Sequence, residues 1–286
     1  MPELPEVQTI VGDLERKIKG DIVVGFWSDW KKAIRMPLGR FMTGIKNKKI
    51  LKAERIGKYI ALKLSGGKTL LIHLKMTGHL LVKLKTKNEK LKIKENYFSE
   101  KVNQYIHHIF YLKSGRTLEF SDVRKFGKII LVDADRADEL PEIKKLGLDA
   151  LSKKLTFKKL DDILKRKKTQ IKQLLMNQEE IAGIGNIYAS EILHSAGILP
   201  SRSASELTFQ EKKKVYASIK KILMQAILLR GTSDSDYRDT SGAPGKFQEI
   251  LKVYRRTGKK CPGCGTIIKR AVIGQRSSFF CPRCQK

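Results

Sequence analysis

The stretch YIALKLSGGKTLLIHLKM, residues 59–76, reads as two short strands around a tight turn. Ser65-Gly66-Gly67 supplies the turn, and apolar residues alternate on both sides of it. In the second strand Leu70, Ile72, Leu74 and Met76 share one face, while Leu71, His73 and Lys75 share the other. Outward from this hairpin the same signal recurs between about 22 and 133. Residues 106–112 and 117–120 flank a turn at Ser114-Gly115, and 128–132 (KIILV) reads as a further strand. Short strands at this spacing predict a sandwich or barrel. Residues 83–103 interrupt the series. They hold 7 Lys and 3 Glu, a net of +4, without a period, and predict a long, basic, mobile loop.

Helical signals lie on both sides of the strands. Residues 5–20 carry Val7, Ile10, Val11, Leu14 and Ile18 at helical spacing, with Pro5 in the first turn and Gly20 as the stop. Near Pro141 the pattern changes, and 158–177, 186–196 and 208–230 all have helical periodicity. Thr208 and Glu211 form a capping-box pair. Asn186 reads as an N-cap after the turn Ala182-Gly183-Ile184-Gly185. Residues 231–247 are rich in Gly, Ser, Thr and Asp and predict a loop, and 248–286 form a cysteine-bearing tail.

The chain has 286 residues, and 41% are hydrophobic, which excludes disorder throughout. Its 59 Lys+Arg against 29 Asp+Glu give a net charge of +30, which calls for a polyanionic partner. Nothing approaches the ~18 apolar residues of a membrane span, and residues 1–20 lack the apolar run of a signal peptide. A soluble, cytoplasmic protein is expected. All 4 cysteines lie in the last 26 residues with the spacing C-x₂-C-x₁₆-C-x₂-C. Two C-x-x-C turns deliver four thiolates to one ion, so Cys261, Cys264, Cys281 and Cys284 are expected to hold one structural Zn²⁺ around a β-hairpin. A redox dithiol would bring one such pair, not two. That hairpin carries Lys269, Arg270, Gln275 and Arg276 toward phosphate.

Three further constellations carry chemistry, each with a plain structural alternative. The turn at 182–186 can cradle a phosphate on glycine N–H groups and a helix start, or can simply join two helices. It follows residues 153–172, which carry nine Lys/Arg and two Asp. Asp122-Val123-Arg124-Lys125-Phe126-Gly127 sets a Phe among cations, as a wedge into a base stack beside an Arg that reads a base edge, or as an ordinary core Phe before a turn. At the start, MPELPEV, removal of Met1 leaves Pro2 as a secondary amine able to attack a sugar carbon, with Glu3 alongside as proton donor. Alternatively, Glu3 and Glu6 only cap the first helix.

Together, MPELPEV (1–7), LIHLKMTG (71–78), SDVRKFG (121–127), AGIGNIYASE (182–191) and the cysteine tail occur in the order found in formamidopyrimidine-DNA glycosylase, and the chain resembles that family over nearly its whole length. The resemblance implies an α+β multidomain fold: an N-terminal β-sandwich over 1–140, a helix–two-turn–helix domain over 141–247 and a C-terminal four-cysteine zinc finger over 248–286, with DNA in the cleft between. It implies a monomeric bacterial base-excision enzyme, associated with the nucleoid, that flips out and excises oxidised purines and then nicks the abasic site by β,δ-elimination. By family role Pro2 is the Schiff-base nucleophile, Glu3 the proton donor, Lys58 the β-elimination donor, and Arg276 the δ-elimination donor and a phosphate ligand. Met76, Arg124 and Phe126 fill the gap left by the flipped nucleotide, and Arg124 faces the orphaned base. His73, Lys168, Lys172 and Asn186 are expected on the DNA. Tyr105 stands where the family commonly has a contacting His, and the stretch 83–103 has the character of an insertion. An endonuclease VIII-like enzyme for oxidised pyrimidines is disfavoured by Leu4, where that branch usually has Gly. A non-catalytic zinc-finger DNA binder would require loss of Pro2 or Glu3, and both are present.

Overall fold

The computed structural model describes residues 1–84, 97–234 and 236–286. Most of the Lys-rich stretch, residues 85–96, lies outside the described residues, and so does the mobile loop expected there. The chain divides into two compact units, Met1–Lys144 with Leu229–Gln248, and Lys145–Leu228 with Glu249–Lys286.

The first unit is built on eight strands: β1 (Ile22–Ser28), β2 (Lys48–Ile56), β3 (Tyr59–Leu64), β4 (Lys68–His73), β5 (His79–Leu84), β6 (Ile106–Leu112), β7 (Arg116–Ser121) and β8 (Lys128–Asp133). They run antiparallel in the order β5-β7-β6-β1-β2-β3-β4-β8. The β1–β2 pairing is brief, Ile22 opposite Lys49 and Val23 opposite Lys48, so the sheet divides there into two four-stranded halves. Phe26, Leu80, Phe110, Leu118 and Phe120 from one half share a core with Ile60, Leu62, Leu70 and Ile72 from the other. This is the sandwich that the alternation implied.

The β3–β4 hairpin pairs Tyr59 with His73 and Leu64 with Lys68. It stops at His73 and not at Met76, because Lys75 adopts φ 54°, which ends the strand in a loop. Helix α1 (Leu4–Lys17) lays Val7, Ile10, Val11 and Leu14 into the same core. A short helix α2 (Leu38–Ile45), which strand periodicity does not reveal, inserts Phe41 and Ile45. A third, α3 (Pro141–Lys144), closes the unit.

The loop 229–248 packs on α1 through charge. Arg230, itself at φ 60°, binds Asp13 at 2.5 Å and Asp239 at 2.6 Å, both carboxylates being almost fully buried. Thr240 Oγ1 donates to Asp13 at 3.0 Å. Removing Arg230, itself part-exposed, would leave two buried carboxylates without their shared guanidinium.

The second unit contains α4 (Phe157–Arg166), α5 (Ile171–Met176), α6 (Asn186–Ala196) and α7 (Phe209–Leu228), with two short parallel strands, β9 (Leu148–Asp149) and β10 (Ile181–Ala182). The single helix expected over 158–177 is two, because Gln170 leaves the helix to bridge Ser203 and Ile171 N–H donates to the Arg202 carbonyl. The Thr208–Glu211 capping box forms with both hydrogen bonds, at 2.8 and 3.3 Å. The tail forms the hairpin β11 (Lys269–Ile273) and β12 (Arg276–Phe280), whose two-residue turn, Gly274-Gln275, holds φ 54° and 61°. Such a pair of left-handed residues matches the right-handed twist of the strands.

Candidate DNA-processing site

The N-terminus of α1 concentrates the first group of residues. Glu3 is the N-cap, and its side chain accepts the backbone N–H of Glu6 while Glu6 Oε2 accepts the Glu3 N–H at 2.8 Å. The capping alternative is therefore realised, and it fixes Glu3, 2% exposed, next to a buried Pro2. Glu6 does more than cap. Its other oxygen accepts the Thr232 N–H at 2.7 Å, so the helix start holds the loop 231–247. Gly231 makes this approach possible: it sits at φ +83°, and a Cβ there would lie 2.7 Å from Glu6 Oε1. The sequence assigns Glu6 only a helix-end role; its reach of 226 positions along the chain has no local signature.

Lys58 occupies the two-residue turn between β2 and β3, where Gly57 takes φ 57°, and is largely buried. His73, at the end of β4, packs its ring edge against Tyr59 at 4.5 Å and accepts the Lys75 N–H on Nδ1 at 2.9 Å. Burial, and then the charges of Lys75, Lys58 and Lys128, hold its pKa down to about 3. The ring is thus a neutral one among cations.

Two loops meet next to it. Met76 is 36% exposed and Phe126 49% exposed. The Arg124 guanidinium lies 4.6 Å from the Phe126 ring centre. Asp122, fully buried, organises both loops. Its Oδ2 accepts N–H groups of Phe126 at 2.9 Å and Gly127 at 2.8 Å. Its Oδ1 accepts the Thr77 hydroxyl, and Thr77 Oγ1 accepts the Arg124 N–H at 3.1 Å. Met76 and the Arg124–Phe126 segment are therefore tied together by the pair Thr77–Asp122, whose role no sequence motif announces. Tyr105, half-buried, accepts the Asp122 N–H on its carbonyl at 2.9 Å.

In the second unit Lys168 is exposed in the break between α4 and α5. Lys172, expected on the DNA backbone, is 1% exposed. Its ammonium donates to Asn186 Oδ1 at 2.6 Å, Ser278 Oγ at 2.6 Å and the Ser277 carbonyl at 2.9 Å. It joins α5, α6 and the β12 strand whose first residue is the exposed Arg276. Asn186 is not the N-cap; Gly185 is, in an extended conformation, and Asn186 begins α6 with its side-chain oxygen engaged by Lys172. Glu191 of α6 is buried and accepts the N–H groups of Lys252, Val253 and Tyr254 at 2.8–2.9 Å. Burial raises its pKa, and those bonds oppose the rise. The cysteine tail is in this way built into the helical unit.

The four sulfurs lie within 4.8 Å of one another, with Cys261–Cys284 at 3.9 Å and Cys264–Cys281 at 3.4 Å. A tetrahedron with Zn–S of about 2.3 Å has sulfur–sulfur edges of about 3.8 Å, so the donor set fits one structural zinc. His194 Nε2 lies 3.7 Å from the Cys261 sulfur, the kind of neighbour that orients a metal ligand.

Residues 1–129 match the model of the formamidopyrimidine-DNA glycosylase N-terminal domain, 146–237 its H2TH domain, and 258–286 the zinc finger found in FPG and IleRS. The formamidopyrimidine-DNA glycosylase of Pelotomaculum thermopropionicum is 43% identical over 289 residues, covering 100% of this chain and 99% of that protein. The chain belongs to the formamidopyrimidine-DNA glycosylase family. The family enzyme of Heliobacterium modesticaldum is 37% identical, with 100% of both chains covered. Among solved structures, the Lactococcus lactis enzyme in complex with abasic-site DNA aligns with a TM-score of 0.87 at 29% identity, 99% of each chain covered. The Thermus thermophilus enzyme aligns with a TM-score of 0.85 at 33% identity, covering 99% of this chain and 98% of that one. Family members are base-excision DNA glycosylases with abasic-site lyase activity, and this chain is one of them, with one structural zinc. Among the described residues no helix is long and apolar enough to cross a membrane.

Proposed function

We propose that this glycosylase excises oxidised purines from duplex DNA with the amine of Pro2, exposed by removal of Met1. The observation that carries this reading is Pro2 buried beside Glu3 at the start of α1, within a full-length family match. Related enzymes of the family have been crystallised on DNA containing an abasic site and on DNA containing Fapy-dG.

A damaged base inside a duplex is out of reach and must be flipped out, at a few kcal/mol of unstacking. Phe126, Arg124 and Met76 fill the gap and offset part of that cost. The Pro2 nitrogen then bonds to the sugar C1′ as the glycosidic bond breaks, and the departing base takes its electron pair and a proton. The base's proton is the one the Pro2 amine gives up, and Glu3 protonates O4′ as the C1′–O4′ bond opens, leaving a C1′ iminium. The iminium is an electron sink that acidifies the C2′ hydrogen: its loss as a proton expels the 3′ phosphate by β-elimination with Lys58 as proton donor, and loss of the C4′ hydrogen then expels the 5′ phosphate by δ-elimination with Arg276 as donor. Water as nucleophile would stop at the abasic site. Lys168, Asn186 and His73 hold the backbone, while Lys172 positions Asn186 and the hairpin that carries Arg276.

Borohydride trapping tests the reading. The reduced complex should carry DNA on residue 2, and an amino-terminal tag should abolish activity. Glu3→Gln should bind lesion DNA and excise it about 10²–10⁴-fold more slowly. If Glu3 only capped α1, that substitution would cost ~0.3–1 kcal/mol of stability with turnover intact. A cross-link on an internal lysine, with tagged protein active, overturns the proposal.

A further inference from the structure

The stretch 83–103, with its character of an insertion, ends in two short 3-10 turns, Tyr97–Ser99 and Lys101–Gln104. These turns are fixed to the sandwich. The Ser121 hydroxyl donates to the Val102 carbonyl at 2.9 Å, and the Lys83 ammonium lies 5.3 Å from the Phe98 ring centre. Asn103 is fully buried, and its Oδ1 accepts from His79 Nε2 at 2.8 Å.

From this base two side chains reach the loop 229–248 of the same unit. Asn103 Nδ2 donates to the Gly242 carbonyl at 3.1 Å, besides the Tyr97 carbonyl at 2.6 Å. Gly242 stands at φ +79°, and a Cβ there would lie 2.8 Å from Asn103 Nδ2, so glycine permits the close approach. Glu100 Oε2 accepts from Arg238 Nε at 2.8 Å, and Arg238 Nη1 donates to the Tyr237 carbonyl at 2.8 Å. The Glu100 and Arg238 side chains are 35% and 16% exposed, so solvent and salt screen this pair less than one on the open surface.

The loop has two kinds of anchor. Asp13, Lys17 and Val82 hold it at Thr240 and Ser241. Glu100, through Arg238, acts next to Tyr237. Tyr237 in turn places its hydroxyl 3.5 Å from the Glu6 carbonyl, and the Thr232 N–H donates to Glu6 Oε1. Ser233, Asp234 and Asp236, all part-exposed, thus lie between two residues seated on the helix start that carries Pro2 and Glu3. A polar segment of this kind buries little apolar surface, and its order comes from such anchors.

We infer that Glu100 and Asn103 are positioning residues for base excision: through Arg238 and Gly242 they hold the segment 232–237 against the base that leaves the sugar at Pro2. The inference rests on the reading of Pro2 as the amine that takes that sugar. A segment held in place orients a flipped base for reaction and does nothing for a sugar that carries no base. Excision therefore depends on the contacts of Glu100 and Asn103, and strand cleavage at an existing abasic site does not.

Single-turnover rates on two duplexes read this division, one containing 8-oxoguanine and one a preformed abasic site. Glu100→Ala, a change at a part-exposed side chain, should slow excision about fivefold and leave abasic-site cleavage within about twofold of the unsubstituted protein. Arg238→Gln should slow excision at least as much. The double substitution should be no slower than Arg238→Gln alone, because the two side chains act through one contact. Hydrogen exchange in the free protein should quicken at the amides of 232–237 in Glu100→Ala, with those of β3 and β4 unchanged. Equal slowing on both duplexes, additive losses, or excision by Glu100→Ala at the unsubstituted rate overturns the inference. Borohydride trapping of the unsubstituted protein separates it from the reading beneath it. No adduct on residue 2 overturns both, whereas an adduct there with excision indifferent to Glu100 overturns the positioning role alone.

Discussion

Asp122→Ala is the substitution that best separates the loop architecture from the chemistry. The carboxylate is fully buried and accepts two well-formed backbone hydrogen bonds, from Phe126 at 2.9 Å and Gly127 at 2.8 Å, besides the Thr77 hydroxyl. Hydrogen bonds to a charged acceptor contribute ~1.5–3 kcal/mol each, so the two backbone bonds together are worth about 3–6 kcal/mol. Val123, Arg124, Lys125 and Phe126 are exposed, so the segment can open without opening the core, and most of the loss falls on loop order and not on global stability. DNA binding must then restore that order. If half of the smaller figure reappears as an ordering cost, about 1.5 kcal/mol, affinity for abasic-site DNA falls about 12-fold. Asp122→Asn keeps one carbonyl oxygen and should lose about half as much free energy. Fluorescence anisotropy on a duplex with an abasic analogue, with thermal denaturation of the same samples, gives both numbers. Binding by Asp122→Ala within about threefold of the unsubstituted protein, at an unchanged midpoint, would refute the argument.

Two further outcomes follow from the site. His79 and His108 are fully buried, and burial lowers both to about 4 from 6.5. A depressed folded-state pKa means that the unfolded chain binds the extra protons, so stability is whole above about pH 6.5 and is lost as pH falls toward 4; at pH 5 each ring should cost about 2 kcal/mol. Urea unfolding of His108→Leu should show a shallower acid loss than the unsubstituted chain, and the same slope in both would refute the assignment. Removing zinc with a chelator, or substituting Cys281, should lower the melting temperature of the helical unit and not of the tail alone, because Glu191 and Lys172 bind the tail to α6 and α5. Circular dichroism of metal-stripped protein with helix melting unchanged would count against that coupling.

Local chemistry was legible in the sequence. Four cysteines at C-x₂-C spacing, the apolar stripe of α1, the Thr208–Glu211 capping box and the Gly-rich turn after Tyr59–Leu64 each fit within a few residues, so their signals survive in one dimension. The zinc cluster was equally readable from its cysteine spacing, while the amine-site and wedge residues are proposed from motifs whose order the family shares. Tertiary structure alone decided what those residues do for one another. Lys172 looks like a surface cation in a basic run; its hydrogen bonds reach positions 186, 277 and 278, and no local pattern records such partners. The helix expected over 158–177 is interrupted over residues 167–170, where Gln170 bridges a distant Ser203 that helix propensity cannot anticipate. Asp122, Thr77 and Glu6 are ordinary polar residues in the sequence and become organisers only where folding removes water and leaves buried N–H groups in need of an acceptor. Periodicity and spacing report how a segment folds on itself, whereas burial of a polar group is settled by what the rest of the chain brings against it.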